Sequence, residues 1–186
     1  MALNDQLDWT TVGAMSTGSG CVRDNFQLAF GDPTKELLPK GMSLYKFNGS
    51  CTLNGVNPAD ATGATPLSEW WSPTYAFKQD AGLAQRMAIA EQNGVSFREW
   101  GRLTSAIKEN WSDLAWLLTI ELKEPVYGWF GGFKSVSRID EGESSKRDPA
   151  KEATGGGAKL PGGGTQFYIP YLKYMHIQPT PSFKPL

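Results

Sequence analysis

A glutamine at the start of a short apolar segment is the residue whose position most suggests a functional site. Gln166 opens the segment 166–170, and the stretch before it, 134–164, has almost no large apolar residues and contains two glycine triplets. Compact domains seldom contain structureless loops of this length unless the loop is functional or disordered. We therefore expect a long flexible loop over 134–164 and a site at Gln166. The alternative is a polar side chain on the solvent face of an edge strand.

A cysteine and the single histidine of the chain form a second candidate set. Cys21 precedes a candidate short helix, and a helix N-terminus favours the reactive thiolate. His176 lies far downstream, and a nucleophile followed by a distant base is the order found in papain-like amidases and peptidases. No local signature surrounds Cys21, so a buried thiol and a strand histidine are the alternative. With Cys51 the chain has two cysteines and one histidine, which are too few for a zinc site. Whether Cys21 and Cys51 form a disulfide stays open.

The composition limits the classes of protein to which the chain can belong. Its 186 residues fit one domain, and 40% apolar with 12% aromatic residues indicate a globular core. The formal net charge of -1 argues against non-specific nucleic-acid binding. No apolar run is long enough to predict a membrane span, and residues 1–9 resemble no signal peptide. We therefore expect a cytoplasmic protein, or one exported without a cleaved signal.

The periodicity predicts an α+β protein with a mostly antiparallel sheet and two central helices. Strands are predicted over 42–47, 70–71, 115–122, 126–130, 166–169 and 172–177. Helices are predicted over 79–92 and 96–111. Because both helices lie in one block between strands, the order is not that of repeated βαβ units. Residues 1–36 are expected to be an N-terminal extension, and the prolines after Gln178 an extended tail.

The second predicted helix has the clearer pattern. Ser96 and Glu99 form a capping box at its start. Apolar residues then recur at spacings of three and four, which predicts a face buried in the core. These residues are Trp100, Leu103, Ile107 and Trp111.

Three segments, in this order along the chain, resemble the ADP-ribosyltransferase-like fold. Leu44-Tyr45-Lys46 is similar to the Leu-Tyr-Arg of the first family strand. Trp70-Trp71-Ser72-Pro73-Thr74 is similar to the aromatic-x-Ser-x-Ser/Thr of the second, and a predicted helix follows as in the family. Gln166-Phe167-Tyr168-Ile169-Pro170 has the spacing of the third, a Glu followed by three residues and Pro after a long loop. The resemblance covers residues 37–178 and implies a split sheet that clasps NAD as substrate.

The resemblance implies a role for each matching polar residue. Lys46 would hold the NAD phosphates, Ser72 would fix the nicotinamide ribose, and Ser68 is the second choice for that hydroxyl. Gln166 would hydrogen-bond the ribose while the glycosidic bond loosens. The 134–164 loop would select water or a protein side chain as the acceptor. The plainer alternatives are a snorkelling lysine at a strand edge and a Ser-Pro turn.

Two of these residues depart from the family pattern. Lys46 stands in place of Arg and can meet a phosphate only as a point charge. Gln166 stands in place of Glu, and a neutral amide can bind a ribose hydroxyl without stabilising an oxocarbenium ion by charge. The resemblance therefore implies a bacterial toxin or effector that acts as an NAD glycohydrolase more than as a protein-modifying enzyme, or a non-catalytic relative.

The resemblance also has implications for the walls of the site and for partners. Tyr45, Trp70 and Trp71 would stack on nicotinamide or adenine, and Tyr45 or Trp71 would exclude water, with ordinary core packing as the alternative. No metal is expected. For a toxin, an immunity protein that covers the cleft is implied. A non-catalytic interaction module, whose long loop binds a partner protein, is the remaining hypothesis.

Overall fold

The described residues form a mostly antiparallel sheet with two α-helices in the middle of the chain. The computed structural model describes residues 1–9, 26, 31–143, 145 and 158–186. The first elements are β1 (Thr34–Leu38), β2 (Ser43–Asn48), β3 (Trp70–Pro73), α1 (Leu83–Gln92) and α2 (Phe97–Thr104). The later ones are β4 (Trp116–Glu121), β5 (Val126–Gly132), β6 (Val136–Ser137), β7 (Lys159–Leu160), β8 (Thr165–Tyr168) and β9 (Ser182–Pro185). The predicted α+β class is confirmed.

Seven of the strands make the main sheet, in the order β1-β5-β8-β3-β2-β4-β9. Every neighbouring pair is antiparallel. The three strands that carry the predicted site motifs, β8, β3 and β2, are therefore neighbours, although 93 residues separate Ser72 from Thr165 along the chain. β6 and β7 pair with each other in a separate two-stranded ribbon.

The two faces of the sheet bury separate apolar clusters because side chains alternate along each strand. Tyr45 and Phe47 of β2 lie with Leu117 of β4 on one face, against Leu83 and Phe97 of the two helices. The larger cluster covers the other face and includes Leu44, Leu118, Ile120 and Phe167. One strand therefore contributes to both cores, and the helices cover only one of them.

The sheet opens between β2 and β3. Their pairing consists of Leu44 opposite Pro73 and Tyr45 opposite Ser72. β2 continues to pair with β4 over six residues, from Ser43 to Asn48. The far halves of β2 and β3 therefore separate, and a gap is left between the two parts of the sheet.

The second helix is shorter than predicted. It begins as expected, since the Ser96 hydroxyl accepts a hydrogen bond from the backbone N–H of Glu99 at 3.2 Å. It ends at Thr104 and not at 111, because Ala106 adopts a left-handed backbone with a φ of +49°, which no α-helix tolerates. Trp111 is consequently outside the helix and 53% exposed. The prediction that Trp111 belongs to the core was wrong.

Other segments also differ from prediction. The first helix begins at Leu83 and not at 79, because Gly82 has a φ of +84°. The strand predicted over 172–177 is wrong, since the segment contains a single 3-10 turn at Tyr174–His176. The proline-containing tail includes β9, which pairs with β4. β1 crosses the predicted boundary between extension and core at residue 36.

The long loop is ordered at both ends. Val136 pairs with Leu160 and Ser137 with Lys159, so the described residues at the start and end of 134–164 meet in the β6–β7 ribbon. Residues 144 and 146–157 lie outside the described residues. None of the helices in the described ranges is long and apolar enough to cross a membrane.

Candidate functional site

A cleft with a volume of about 670 Å³ opens where β2 and β3 separate. Four of the residues that the sequence singled out line it: Tyr45, Lys46, Trp71 and Ser72. The cleft is therefore built by the two strands whose motifs resemble the first and second strands of the ADP-ribosyltransferase-like family.

Lys46 is the cation of this cleft. It is half-buried, and desolvation lowers the pKa of its ammonium from 10.5 to about 8. Its Nζ atom lies 5.9 Å from the centroid of the Trp71 ring. No carboxylate in the described part of the chain forms an ion pair with it. A desolvated cation without a counter-ion is costly unless it has a partner, so Lys46 is poised to receive an anion.

Ser72 and Tyr45 lie side by side at the inner end of the cleft, directly opposite each other in β3 and β2. Ser72 is buried, and its hydroxyl donates a hydrogen bond to the backbone carbonyl of Thr165 at 3.0 Å. Tyr45 is fully buried, and desolvation raises the pKa of its phenol to about 12. Tyr45 is therefore a neutral phenol, and its ring packs in the core beside the cleft.

Gln166 lies inside the sheet and not at its edge. It is 4% exposed and sits opposite Gly131, in a strand that β5 and β3 flank on its two sides. The β3–β8 register has Trp71 opposite Phe167, and continuing it by one residue places Ser72 next to Gln166. Gln166 is not among the residues that line the cleft. The edge-strand alternative was wrong, while the role of Gln166 stays a prediction.

Ser68 has a local structural position. Its hydroxyl accepts a hydrogen bond from the backbone N–H of Trp70 at 3.2 Å, and its carbonyl accepts one from the indole of Trp71 at 2.6 Å. These bonds fix the two tryptophans at the start of β3. Ser68 does not line the cleft, and its proposed role at the ribose stays a prediction.

The second candidate set is described only in part, because Cys21 lies outside the described residues. His176 Nδ1 accepts a hydrogen bond from the backbone of Lys173 at 3.0 Å, and Nε2 is 3.8 Å from a carboxylate oxygen of Glu124. Burial lowers the pKa of His176. The histidine does not line the cleft, and the cysteine hydrolase stays an untested prediction.

Trp111 lines the cleft, although the sequence did not identify it as a site residue. Its indole donates a hydrogen bond to Asp140 of the long loop at 3.1 Å. Asp140 also pairs with Lys108 and accepts from Asn110, and these bonds lower the pKa of its carboxyl. The described arm of the loop is thus fastened to the cleft wall. Trp111 continues the spacing of the apolar residues of α2, and for this reason the sequence predicted it as a core residue of that helix.

The cleft also has hydroxyl and carboxylate groups at its other margins. Ser105 lines it with a buried hydroxyl that has no hydrogen-bond partner among the described residues. Asp113 lies near its mouth and is 3.7 Å from Arg98. In the described ranges no cluster of three or more His, Cys, Asp or Glu side chains is placed to hold a metal ion. The arrangement suits a ligand that has an anionic group and planar rings.

Comparison with known proteins gives few matches. No protein-family model matches the chain, and no curated protein matches it. Among solved structures, the structure of Tne2 in complex with Tni2 aligns over 83% of this chain and 94% of that chain, at 15% sequence identity and a TM-score of 0.44. A likeness at this level is too weak to support a functional argument. The function proposed below is therefore argued from the cleft.

Proposed function

We propose that this protein binds NAD in the cleft between β2 and β3 and cleaves the nicotinamide–ribose bond. It would act as an ADP-ribosyltransferase-like toxin or effector, either as an NAD glycohydrolase or by ADP-ribosyl transfer. The observation that carries the proposal is Lys46, a desolvated ammonium that forms no ion pair with a carboxylate of the described residues, in a cleft whose lining includes aromatic residues. A dinucleotide matches both features, since its diphosphate is an anion that can pair with Lys46 and its two bases are planar groups that can stack on aromatic rings.

The size and lining of the cleft support this ligand. Pockets for small molecules and cofactors have volumes of about 300–1,000 Å³, and the cleft has about 670 Å³. The half-buried Trp70 and the exposed Trp111 line it, and aromatic rings bind planar bases by stacking. Lys46 would contribute one point charge to the diphosphate, as the resemblance implies for this position.

The polar residues at the inner end would act on the ribose. Ser72 lines the cleft, and Gln166 follows Thr165, the residue to which Ser72 is hydrogen-bonded. In the proposed reaction the bond from nicotinamide to ribose breaks with both electrons leaving on nicotinamide. An acceptor oxygen then attacks the resulting cationic sugar and loses its proton to solvent. Gln166 would hold a ribose hydroxyl during this step, as a neutral amide can. Because no carboxylate is present at this position, water is the favoured acceptor.

The partner that the toxin assignment implies would occupy the same cleft. An immunity protein that covers the opening between β2 and β3 would exclude NAD. Trp111 is an exposed aromatic residue at that opening and is suited to such a contact. This partner remains part of the proposal.

Release of nicotinamide from NAD by the purified chain tests the proposed function. We expect release by the wild type, loss with Gln166→Ala, and full release with Gln92→Ala, a control at an exposed glutamine that ends α1. Radiolabelled NAD would then distinguish water from a protein as acceptor. Cys21→Ser should leave release unchanged, whereas a cysteine hydrolase would lose its activity. Absence of nicotinamide release, together with no NAD-dependent rise in melting temperature, would contradict the proposal.

A further inference from the structure

A buried ion pair lies behind the cleft, outside the residues that line it. The carboxylate of Asp80 pairs with the guanidinium of Arg86 in α1, and their side chains are 1% and 11% exposed. The same carboxylate accepts hydrogen bonds from the backbone N–H of Gly82 at 2.7 Å and from the hydroxyl of Thr165. Asp80 therefore joins the loop after β3, the first helix and the start of β8.

This network reaches Ser72 and Gln166 through Thr165. Thr165 donates its hydroxyl to Asp80, and its backbone carbonyl accepts the hydrogen bond from Ser72. Thr165 also immediately precedes Gln166 in β8. The charges of Arg86 and Asp80 both act on the phenol of Tyr45, so the pair lies close to the inner end of the cleft.

Two glycines next to the pair lie in close contacts, and one of them makes room for it. A Cβ atom on Gly164 would lie 2.6 Å from Nη1 of Arg86, so the guanidinium packs directly against the backbone that leads into β8. A Cβ atom on Gly82 would lie 2.8 Å from the carbonyl of Thr74, at a φ of +84° that already favours glycine. The last glycine triplet thus has a packing role at Gly164, next to the strand that carries Gln166.

Stability alone gives little reason for such a pair. Taking two charges out of water costs about as much as their attraction returns, and well-packed apolar residues often serve as well or better. What a fully hydrogen-bonded carboxylate does provide is a fixed position for each of its donors. One of those donors is Thr165, whose backbone holds Ser72.

We propose that Asp80 and Arg86 form a positioning pair, which holds Thr165 and so keeps Ser72, at the inner end of the cleft, and the adjacent Gln166 in place. This inference rests on the proposed function, since alignment matters only if the cleft performs chemistry. The pair acts on Ser72 and Gln166 through Thr165 and is not among the residues that line the cleft. Misplacement of a reacting group by about 1 Å can cost about 100-fold in rate.

A matched pair of substitutions at Thr165 tests the proposal. Thr165→Val keeps the shape of the side chain and removes the hydroxyl, whereas Thr165→Ser keeps the hydroxyl. For each full-length variant we would measure kcat and KM for nicotinamide release, the melting temperature, and amide hydrogen exchange in peptides that cover 70–74 and 163–168. Arg86→Lys, which keeps the charge without the planar guanidinium, is a second variant at the other end of the network.

The positioning role predicts a separation of effects. Thr165→Val should lower kcat by about 100-fold with KM changed less than about threefold, and should speed exchange in both peptides by about tenfold. Thr165→Ser should keep kcat and the exchange rates of both peptides close to their wild-type values. Equal kcat and equal exchange in the two variants would overturn the proposal. So would a loss in Thr165→Val that follows the melting temperature and raises KM, since that is the behaviour of a merely structural residue.

Failure of the proposed function is distinguishable from failure of this inference. If the wild-type chain releases no nicotinamide, the NAD assignment fails, and the exchange comparison alone decides the positioning role. Faster exchange in both peptides for Thr165→Val, but not for Thr165→Ser, would then uphold the link from Asp80 to Ser72. Unchanged exchange would overturn it.

Discussion

Replacement of Lys46 by methionine should separate the binding role of this residue from its effect on stability. Methionine keeps the apolar stem and most of the volume while it removes the charge. A hydrogen bond to a charged group contributes about 1.5–3 kcal/mol, which corresponds to a roughly 10- to 150-fold change in Kd. Lys46→Met should therefore weaken NAD binding by this factor. The control is Lys123→Met, at an exposed lysine that does not line the cleft.

The free protein should respond in the opposite direction. Desolvation that lowers the pKa of Lys46 from 10.5 to about 8 corresponds to a penalty of at most about 3 kcal/mol for the charged form in the folded state, which solvent screening reduces. Without NAD, Lys46→Met should unfold at a higher urea concentration than the wild type. A residue that merely packs against Trp71 would instead lose stability on substitution.

The pH dependence of this difference follows from the same shift. Between about pH 8 and 10.5 the unfolded chain holds the Lys46 proton and the folded chain does not, so wild-type stability rises with pH across that window. Below it both states are charged and the penalty is complete, and above it neither is charged. The stability advantage of Lys46→Met should therefore shrink from pH 8 to 10.5.

Isothermal titration calorimetry with NAD and urea unfolding at several pH values would measure these effects. Wild-type affinity for NAD should fall as the pH rises through about 8, and the affinity of Lys46→Met should not. Equal NAD affinity in the wild type and Lys46→Met would refute the assignment of Lys46 to an anion site, and a lower stability of the free variant would refute the desolvation argument.

Two further substitutions test the structure behind the cleft. Asp80→Asn should lower the free energy of unfolding by about 3–5 kcal/mol, because it leaves the Arg86 charge buried without its partner; a loss below about 1 kcal/mol in urea unfolding would contradict this. Gly82→Ala should destabilise more than Gly55→Ala in the same assay, since both glycines have positive φ but only at Gly82 would a Cβ atom meet a backbone oxygen, that of Thr74. Equal losses at the two glycines would show that the close contact relaxes without cost.

The strands of the site were predictable because their signals are local. Alternation of apolar and polar residues located β2, β4 and β8 to within one or two residues, and Ser96 marked the start of α2. Their adjacency in the sheet depends on pairing across long stretches of chain, which periodicity does not specify. The resemblance gave only the order of the motifs along the chain, and the structure alone shows that β8, β3 and β2 lie side by side.

The errors arose where one pattern fits two environments. Trp111 continues the spacing of α2, yet the left-handed residue Ala106 ends the helix, and the tryptophan lines the cleft instead. The segment around His176 alternates as a strand does but forms a 3-10 turn. β9 pairs with β4 at the edge of the sheet, where proline is tolerated, so its prolines did not exclude a strand.

The buried network was invisible to sequence reasoning for a different reason. Asp80, Arg86 and Thr165 carry no motif, and only the tertiary fold brings them together. Gly82 and Gly164 were signals of this packing, but glycine in a loop has many possible causes. Close approach of a guanidinium to a backbone can be recognised only from coordinates.

A crystal structure of the protein with a non-hydrolysable NAD analogue would show whether NAD binds in the cleft. We expect the analogue in the gap between β2 and β3, with a diphosphate oxygen about 2.7–3.2 Å from Nζ of Lys46 and the nicotinamide ribose next to Ser72. An analogue bound elsewhere, or a diphosphate that makes no contact with Lys46, would contradict this expectation.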